Sequence, residues 1–194
     1  MKLPNHSPRR NLSHTNKTNH RRFFLKACAG AAAGLVYPSV FAAKQSAMER
    51  KLSFYNTHTD EKISTTYWAE GQYIEESLID INNIMRDHRS GEVYPIDPHL
   101  MDLLYSLQEK VERKDTFSII SCYRSPATNA MLNKKSSGVA KHSLHMQGKA
   151  IDIRLPGCEL NHLRKAALAL KRGGVGYYPK SDFIHVDTGR VRFW

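Results

Sequence analysis

Two five-residue segments near the end of the sequence, Ala150–Arg154 (AIDIR) and Phe183–Asp187 (FIHVD), alternate apolar and polar residues. Side chains alternate across a strand. Ile151 and Ile153 therefore point one way, with Asp152 the other. On the second segment Ile184 and Val186 point to a core, with His185 and Asp187 opposite. A fold that satisfies both strands buries the aliphatic rows and leaves a carboxylate and an imidazole free to share the other face. His145 sits just upstream, in a loop turned by Gly148 within SLHMQGKAID.

Two imidazoles and one carboxylate that converge suit Zn²⁺. Three protein donors leave one tetrahedral position open, which is how a catalytic zinc site differs from a structural one. The competing reading is a buried, hydrogen-bonded polar cluster, the ordinary explanation for any one of these histidines alone. His142-x-x-His145 has helical spacing, but Ser143 to Gly148 reads as loop, which sets His142 aside. His58 belongs to a turn, His88 and His99 to surface or capping positions, and His162 to a helix. Tyr177 and Tyr178 fit either a peptide cleft or ordinary strand aromatics.

The other elements set the fold class. KLSFYNTHTDEKISTTYW alternates around a polar turn and predicts a hairpin. Ile74, Leu78, Ile81, Ile84 and Met85 recur at helical spacing. Asp97 and Pro98 are an N-cap and a first helical residue, before a stripe of Leu100, Leu103, Leu104, Leu107 and Val111. FSIISCY predicts a strand, PATNAMLNKK a short helix, and LNHLRKAALALKRGG an amphipathic helix stopped at Gly173-Gly174. Strands and helices mix without a βαβ repeat. The expected class is α+β, a small, mainly antiparallel sheet with helices packed on one face.

The net charge of +11 suggests nucleic-acid binding until its location is considered. Residues 1–42 hold seven Lys/Arg and no acidic residue, so the remainder, with 22 basic and 18 acidic residues, carries only +4. The excess belongs to a leader and not to a basic face, and no nucleic-acid partner is expected. In that leader HRRFFLKA, with Arg21 and Arg22, resembles a twin-arginine export signal. The run after it is too short, too rich in Ala and Gly, and too interrupted by Pro38 to span a bilayer. Cleavage is expected after Ala42 or one residue later, leaving a domain of residues 43–194 in the periplasm. Cys28 precedes the apolar run, which argues against lipidation. Cys122 and Cys158 remain, and disulfides are permitted in that compartment; a pair and two buried thiols are both open.

SLHMQGKAIDI matches the S-x-H-x-x-G-x-A-x-D pattern of the zinc peptidases that include D-Ala-D-Ala peptidases and phage L-Ala-D-Glu endopeptidases. DFIHVD resembles their second motif. More narrowly, residues 50–194 resemble the MepK (YcbK)-type murein endopeptidases. The resemblance implies a hedgehog/D-Ala-D-Ala peptidase-like fold, one Zn²⁺ per chain held by His145, Asp152 and His185, and crosslinked peptidoglycan peptides as substrate. It implies Asp182 as the base and Arg124 as the residue that meets a substrate carbonyl or carboxylate. Tyr123, Ser143, Gly148 and Asp187 are implied as supporting residues. From the residues alone, Asp187 competes with Asp182 as base, and the alternative for Arg124 is a surface or structural ion pair. A D,D-carboxypeptidase and a non-catalytic peptidoglycan-binding protein are the alternative functions.

Overall fold

The alternation at the start of the domain builds a hairpin. Leu52 and Phe54 are buried while Lys51, Ser53 and Tyr55 are not. Strand β1 (Arg50–Asn56) pairs antiparallel with β2 (Lys62–Ala69), and the short β3 (Gln72–Tyr73) extends that edge. This computed structural model describes residues 49–136 and 138–194. The proposed export signal, with Arg21, Arg22, Cys28 and the cleavage point after Ala42, lies outside the described residues.

Two helices come next, α1 (Glu75–Ile84) and α2 (Pro98–Lys110). The Asp97 side chain accepts the His99 N–H, the N-cap bond that satisfies one of the open donors of a first turn. Leu100, Leu103, Leu104, Leu107 and Val111 enter one core with Leu52, Phe54, Phe117 and Ile119.

Strand β4 (Phe117–Ser121) leads through helix α3 (Pro126–Lys135) to β5 (Ala150–Arg154). Helix α4 (Leu160–Leu170), β6 (Gly174–Tyr178), β7 (Phe183–Asp187) and β8 (Arg192–Phe193) complete the order. Helix α4 ends three residues before the expected glycine pair, because Lys171 itself takes the left-handed conformation at φ 50°.

The strands make one eight-stranded sheet, ordered β3-β2-β1-β4-β5-β7-β6-β8. It is mainly antiparallel within an α+β fold, as expected, and larger than expected because short edge strands extend both ends. The β1–β4 and β6–β8 pairs are parallel. Cys122 and Cys158 are unpaired, the first buried against the Ala150 carbonyl. Among the described residues no helix is long and apolar enough to cross a membrane.

Two features of the sheet decide which residues neighbour Asp152 and His185. Strands β5 and β7 pair so that Asp152 stands directly opposite His185, and β6 and β7 pair so that Gly176 stands on the other side of His185. The β4–β5 register shifts between Ile119 and Ser121, a bulge that brings Ser121 beside Asp152.

Candidate metal centre

His145 is delivered by a 3-10 turn, Leu144–Gln147, where the sequence reads as loop. The Ser143 hydroxyl accepts the His145 N–H, and Gly148 closes the turn at φ 64°. A side chain at Gly148 would run into the Pro95 carbonyl, so both the backbone conformation and the space require glycine. The Asp97 N–H donates to the Gly148 carbonyl at 2.9 Å, which ties this turn to the start of α2.

The turn and the β5–β7 register bring three donors together. His145 Nε2 lies 3.1 Å from His185 Nδ1 and 3.4 Å from Asp152 Oδ1, and His185 Nδ1 lies 2.9 Å from Asp152 Oδ1. Metal–ligand bonds of about 2.0–2.2 Å in a tetrahedron give ligand-to-ligand edges of about 3.3–3.5 Å. The observed triangle is that size or slightly tighter.

The far side of each ring is fixed. His145 Nδ1 donates to the Cys122 carbonyl at 2.6 Å, and His185 Nε2 donates to Asp187 Oδ2 at 2.9 Å. Each bond leaves the other nitrogen as a lone-pair donor aimed at the centre, the orientation that metal-binding histidines take from their outer partners. Three such atoms at these distances need a proton or a metal ion among them, and a proton on His185 Nδ1 bridges only the Asp152 edge. The residues present therefore fit a metal ion.

The surroundings keep charge separated at depth. His145, Asp152, His185 and Asp187 are all buried. Burial drives the His145 imidazole down from its ordinary pKa, despite Asp152. Burial opposes the charged form of His185 too, but the hydrogen bonds of Asp152 and Asp187 outweigh it and hold this imidazole up. The Asp152 carboxyl resists burial and lies well below the carboxylate range, through His145 and His185. Asp187 is likewise depressed, against burial, by His185, Arg192 and the N–H groups of Gly174 and Gly189. The histidines move oppositely because burial, with Arg124 and His185, outweighs the single carboxylate at His145, whereas His185 stands between two carboxylates.

The centre opens on one side into a cavity of about 250 Å³, lined among others by Arg124, His142, Tyr178 and Trp194. Arg124 donates from Nη2 to Asp152 Oδ2 at 2.6 Å and from Nε to Ser121, so it grips the carboxylate's second oxygen while lining the cavity. Ser143 lines the cavity and orients the His145 backbone. Tyr123 does not line it: its ring stacks on Tyr94 at 4.8 Å and its hydroxyl donates to Glu92.

Asp182 is not brought into the cavity lining. It ends the short 3-10 turn Pro179–Ser181 at φ 54°, and its exposed carboxylate accepts from Arg154 Nη1 at 2.8 Å. The strand rule that orients Asp152 and His185 does not reach Asp182, because β7 begins one residue later.

Three contributors escape the sequence reading. The Cys122 carbonyl carries no side-chain signal. Arg192, which donates to both Asp187 oxygens at 3.0 and 2.7 Å, and Trp194 arrive through the parallel β6–β8 pairing. A charged residue after a strand of unknown partner gives no hint of that pairing.

An open tripod of two imidazoles and one carboxylate, each imidazole locked from behind, is a donor set able to hold one metal ion with a position left for chemistry, as in metal-dependent hydrolases. Residues 44–194 match the family described as peptidoglycan L,D-endopeptidase MepK, and the chain belongs to that family. It is 39% identical over 176 residues to the peptidoglycan L,D-endopeptidase MepK of Escherichia coli (strain K12), across 91% of this chain and 97% of that protein. The probable peptidoglycan L,D-endopeptidase MepK of Haemophilus influenzae is 41% identical over 157 residues, 80% of this chain and 84% of its own. No solved structure gives a significant match. The chain is a metallopeptidase by family, with a donor cluster able to hold a metal.

Proposed function

We propose that this protein is an exported zinc endopeptidase that hydrolyses peptide crosslinks of peptidoglycan, residues 43–194 forming the peptidase domain in the periplasm. The observation that carries it is the buried His145–Asp152–His185 triangle, tied down from behind and open towards one cavity. The twin-arginine-like leader supports the compartment, the relatives' names support L,D-endopeptidase action, and the resemblance to the murein endopeptidases implies 3–3 and also 4–3 crosslinks at meso-diaminopimelate. When bound, Zn²⁺ supplies Lewis acidity and lowers the pKa of a water from about 15.7 towards roughly 7.

The chain's own residues do the remainder. His145, Asp152 and His185 hold the ion. Cys122 and Asp187 hold the two imidazoles in the required tautomers. Arg124 fixes Asp152 and, from the same guanidinium, faces the cavity, where it meets the carbonyl oxygen of the bond to be cut. Asp182 is the proton acceptor in this reading. Its bond to Arg154 is a surface pair worth about 0–1 kcal/mol, so the carboxylate leaves it at little cost. Asp187 cannot take that part, because its carboxylate is wholly buried and engaged by His185, Arg192 and two backbone N–H groups.

The test is digestion of purified muropeptides by zinc-loaded residues 43–194, with products identified by mass. Loss of 3–3 crosslinked dimers by the wild type and not by His185→Ala is the expected result. Removal of a terminal D-Ala from monomers instead would make the enzyme a D,D-carboxypeptidase. Binding without turnover would make it a peptidoglycan-binding protein.

A further inference from the structure

Gly176 stands opposite His185 in the β6–β7 ladder, so a side chain there would lie beside that imidazole. There is none, and the space is taken by Trp194: a Cβ at residue 176 would come within 2.8 Å of the indole. The backbone of Trp194 is held by β6, its N–H donating to the Val175 carbonyl at 3.2 Å and its carbonyl accepting from Tyr177 at 3.1 Å. The indole centroid lies 5.2 Å from that of His185, and the Arg192 guanidinium stacks 5.0 Å from the indole. This tryptophan is thus built into the wall of the metal centre from the far side of the sheet order.

The indole has one polar atom, an N–H that can only donate. It donates to the Tyr178 hydroxyl oxygen at 2.8 Å. Tyr178 is two residues beyond Gly176 and so on the same face, its ring stacked on Phe183 at 4.6 Å. The ring is thereby fixed by stacking and the hydroxyl by the indole. Because the oxygen serves as acceptor, the hydroxyl's own proton is not used in that bond, and no other hydrogen bond to this hydroxyl occurs among the described residues. A hydroxyl that already accepts an N–H is also a stronger donor, since linked hydrogen bonds polarise one another. Tyr178 and Trp194 both line the cavity into which the three donors open.

We propose that Tyr178 is a catalytic residue that donates its hydroxyl hydrogen bond to a carbonyl or carboxylate oxygen of the peptide substrate, and that Trp194 is the positioning residue that aims it. This rests on the reading of the cavity as a peptidase site. The ligand class is a peptide with an oxygen acceptor flanking the scissile amide. Trp194 acts through Tyr178, so its indole N–H matters only while the hydroxyl is there.

That dependence gives the experiment. Zinc-loaded residues 43–194 are prepared as wild type, Tyr178→Phe, Trp194→Phe and the double variant, with zinc content and thermal midpoint measured on each. Cleavage rates on crosslinked muropeptide are then compared, and binding is followed separately through the indole N–H resonances. The chain has two tryptophans, so Trp194→Phe identifies the second signal. Tyr178→Phe is expected to lose roughly tenfold to a hundredfold in kcat/KM, below the cost of removing a full oxyanion donor. Trp194→Phe is expected to lose roughly threefold to tenfold, in line with one neutral hydrogen bond. The double variant should be no slower than Tyr178→Phe alone, with zinc content unchanged throughout, because a purely structural tryptophan would add its cost to either background.

Full activity in Tyr178→Phe overturns the proposal and leaves the peptidase reading standing, as does a double variant whose losses multiply. Muropeptide binding that shifts the Trp194 signal and weakens in Tyr178→Phe, without cleavage by any form, supports the contact and sinks the peptidase reading. Neither binding nor cleavage by the zinc-loaded wild type overturns both.

Discussion

Asp152 spends both of its oxygens. Oδ1 faces the two imidazoles and Oδ2 takes the Arg124 guanidinium at 2.6 Å, so the ligand is oriented before any metal arrives. Lysine at residue 124 would keep the charge but not the fork that spans Asp152 and Ser121 together. Arg124→Lys is therefore expected to weaken zinc binding by about 10–100-fold, the usual cost of losing an outer partner of a ligand, readable by competition with a chromophoric chelator. A zinc affinity equal to wild type would show that Arg124 serves substrate alone. The two aspartates that flank His185 in the sequence, Asp182 and Asp187, separate in the same assay. Asp187→Asn removes the charge behind His185 and sets an amide NH2 against one of the donors that its two oxygens now satisfy, and should cost zinc affinity along with turnover. Asp182→Asn, at an exposed residue whose carboxylate bonds only Arg154 among the described residues, should leave zinc affinity unchanged and lower kcat by at least about a hundredfold, within the range for a lost general base. Turnover within a few-fold of wild type in Asp182→Asn would remove Asp182 from the chemistry.

At the level of elements, the hairpin end of the sheet is clamped to α2 by one buried carboxylate. Asp102 accepts from Arg50 of β1 at 2.6 Å, Tyr67 of β2 at 3.0 Å and Tyr73 of β3 at 2.6 Å. Burial favours the neutral acid, but the bonds from Tyr73, Arg50 and Tyr67 prevail and depress this carboxyl. Burial and Asp102 push the Tyr73 hydroxyl up to about 12. A carboxyl whose folded pKa is depressed contributes stability that is present above its unfolded value, about 3.9, and lost as pH falls through the folded value. Asp102→Asn should therefore lower stability at pH 7 by about 1–3 kcal/mol and flatten the loss of stability below about pH 4, both measured by urea unfolding across pH. An unchanged acid limb would assign the acid sensitivity elsewhere. Elements such as this hairpin and α2 were legible because their pattern is local: alternation in β1 and β2, and an N-cap with a leucine stripe in α2. The face shared by Asp152 and His185 was legible for the same reason, since each lies inside a strand. What was not legible is register and turn geometry. Nothing in the sequence says that residue 152 stands opposite 185, that the bulge at β4 turns Ser121 towards Arg124, or that Asp182, one residue outside β7, takes a left-handed conformation and faces Arg154. The edge pairing that carries Arg192 and Trp194 to the centre joins residues too few for any periodicity to show.

Across the molecule the candidate metal centre, once loaded, would also be a fastening. Its donors come from the Leu144–Gln147 turn, β5 and β7, and their outer partners come from the residue after β4, from β7 itself and, through Arg192, from β8. A ligand that binds the folded chain and not the unfolded one stabilises it by RT ln(1 + [L]/Kd), about 4 kcal/mol at a thousandfold excess over Kd. For a domain of this size that is roughly 8–16 °C in thermal midpoint. Adding zinc to chelator-stripped residues 43–194 should raise the midpoint by about that much, and His185→Ala should show little of the rise. The same arrangement sets the direction of a second effect: without the ion a proton can bridge His185 and Asp152 but nothing ties His145 to them, so the stripped protein should lose protection first in the Leu144–Gln147 turn and at the β5–β7 pairing, leaving the β1–β2 hairpin and α2 untouched. Hydrogen exchange on stripped and zinc-loaded protein reads this directly. Exchange that rises uniformly over the whole sheet would mean that the ion supports global stability without fastening the site, whereas a rise confined to those two segments would show that the fold is complete on its own and that the metal finishes only the active centre.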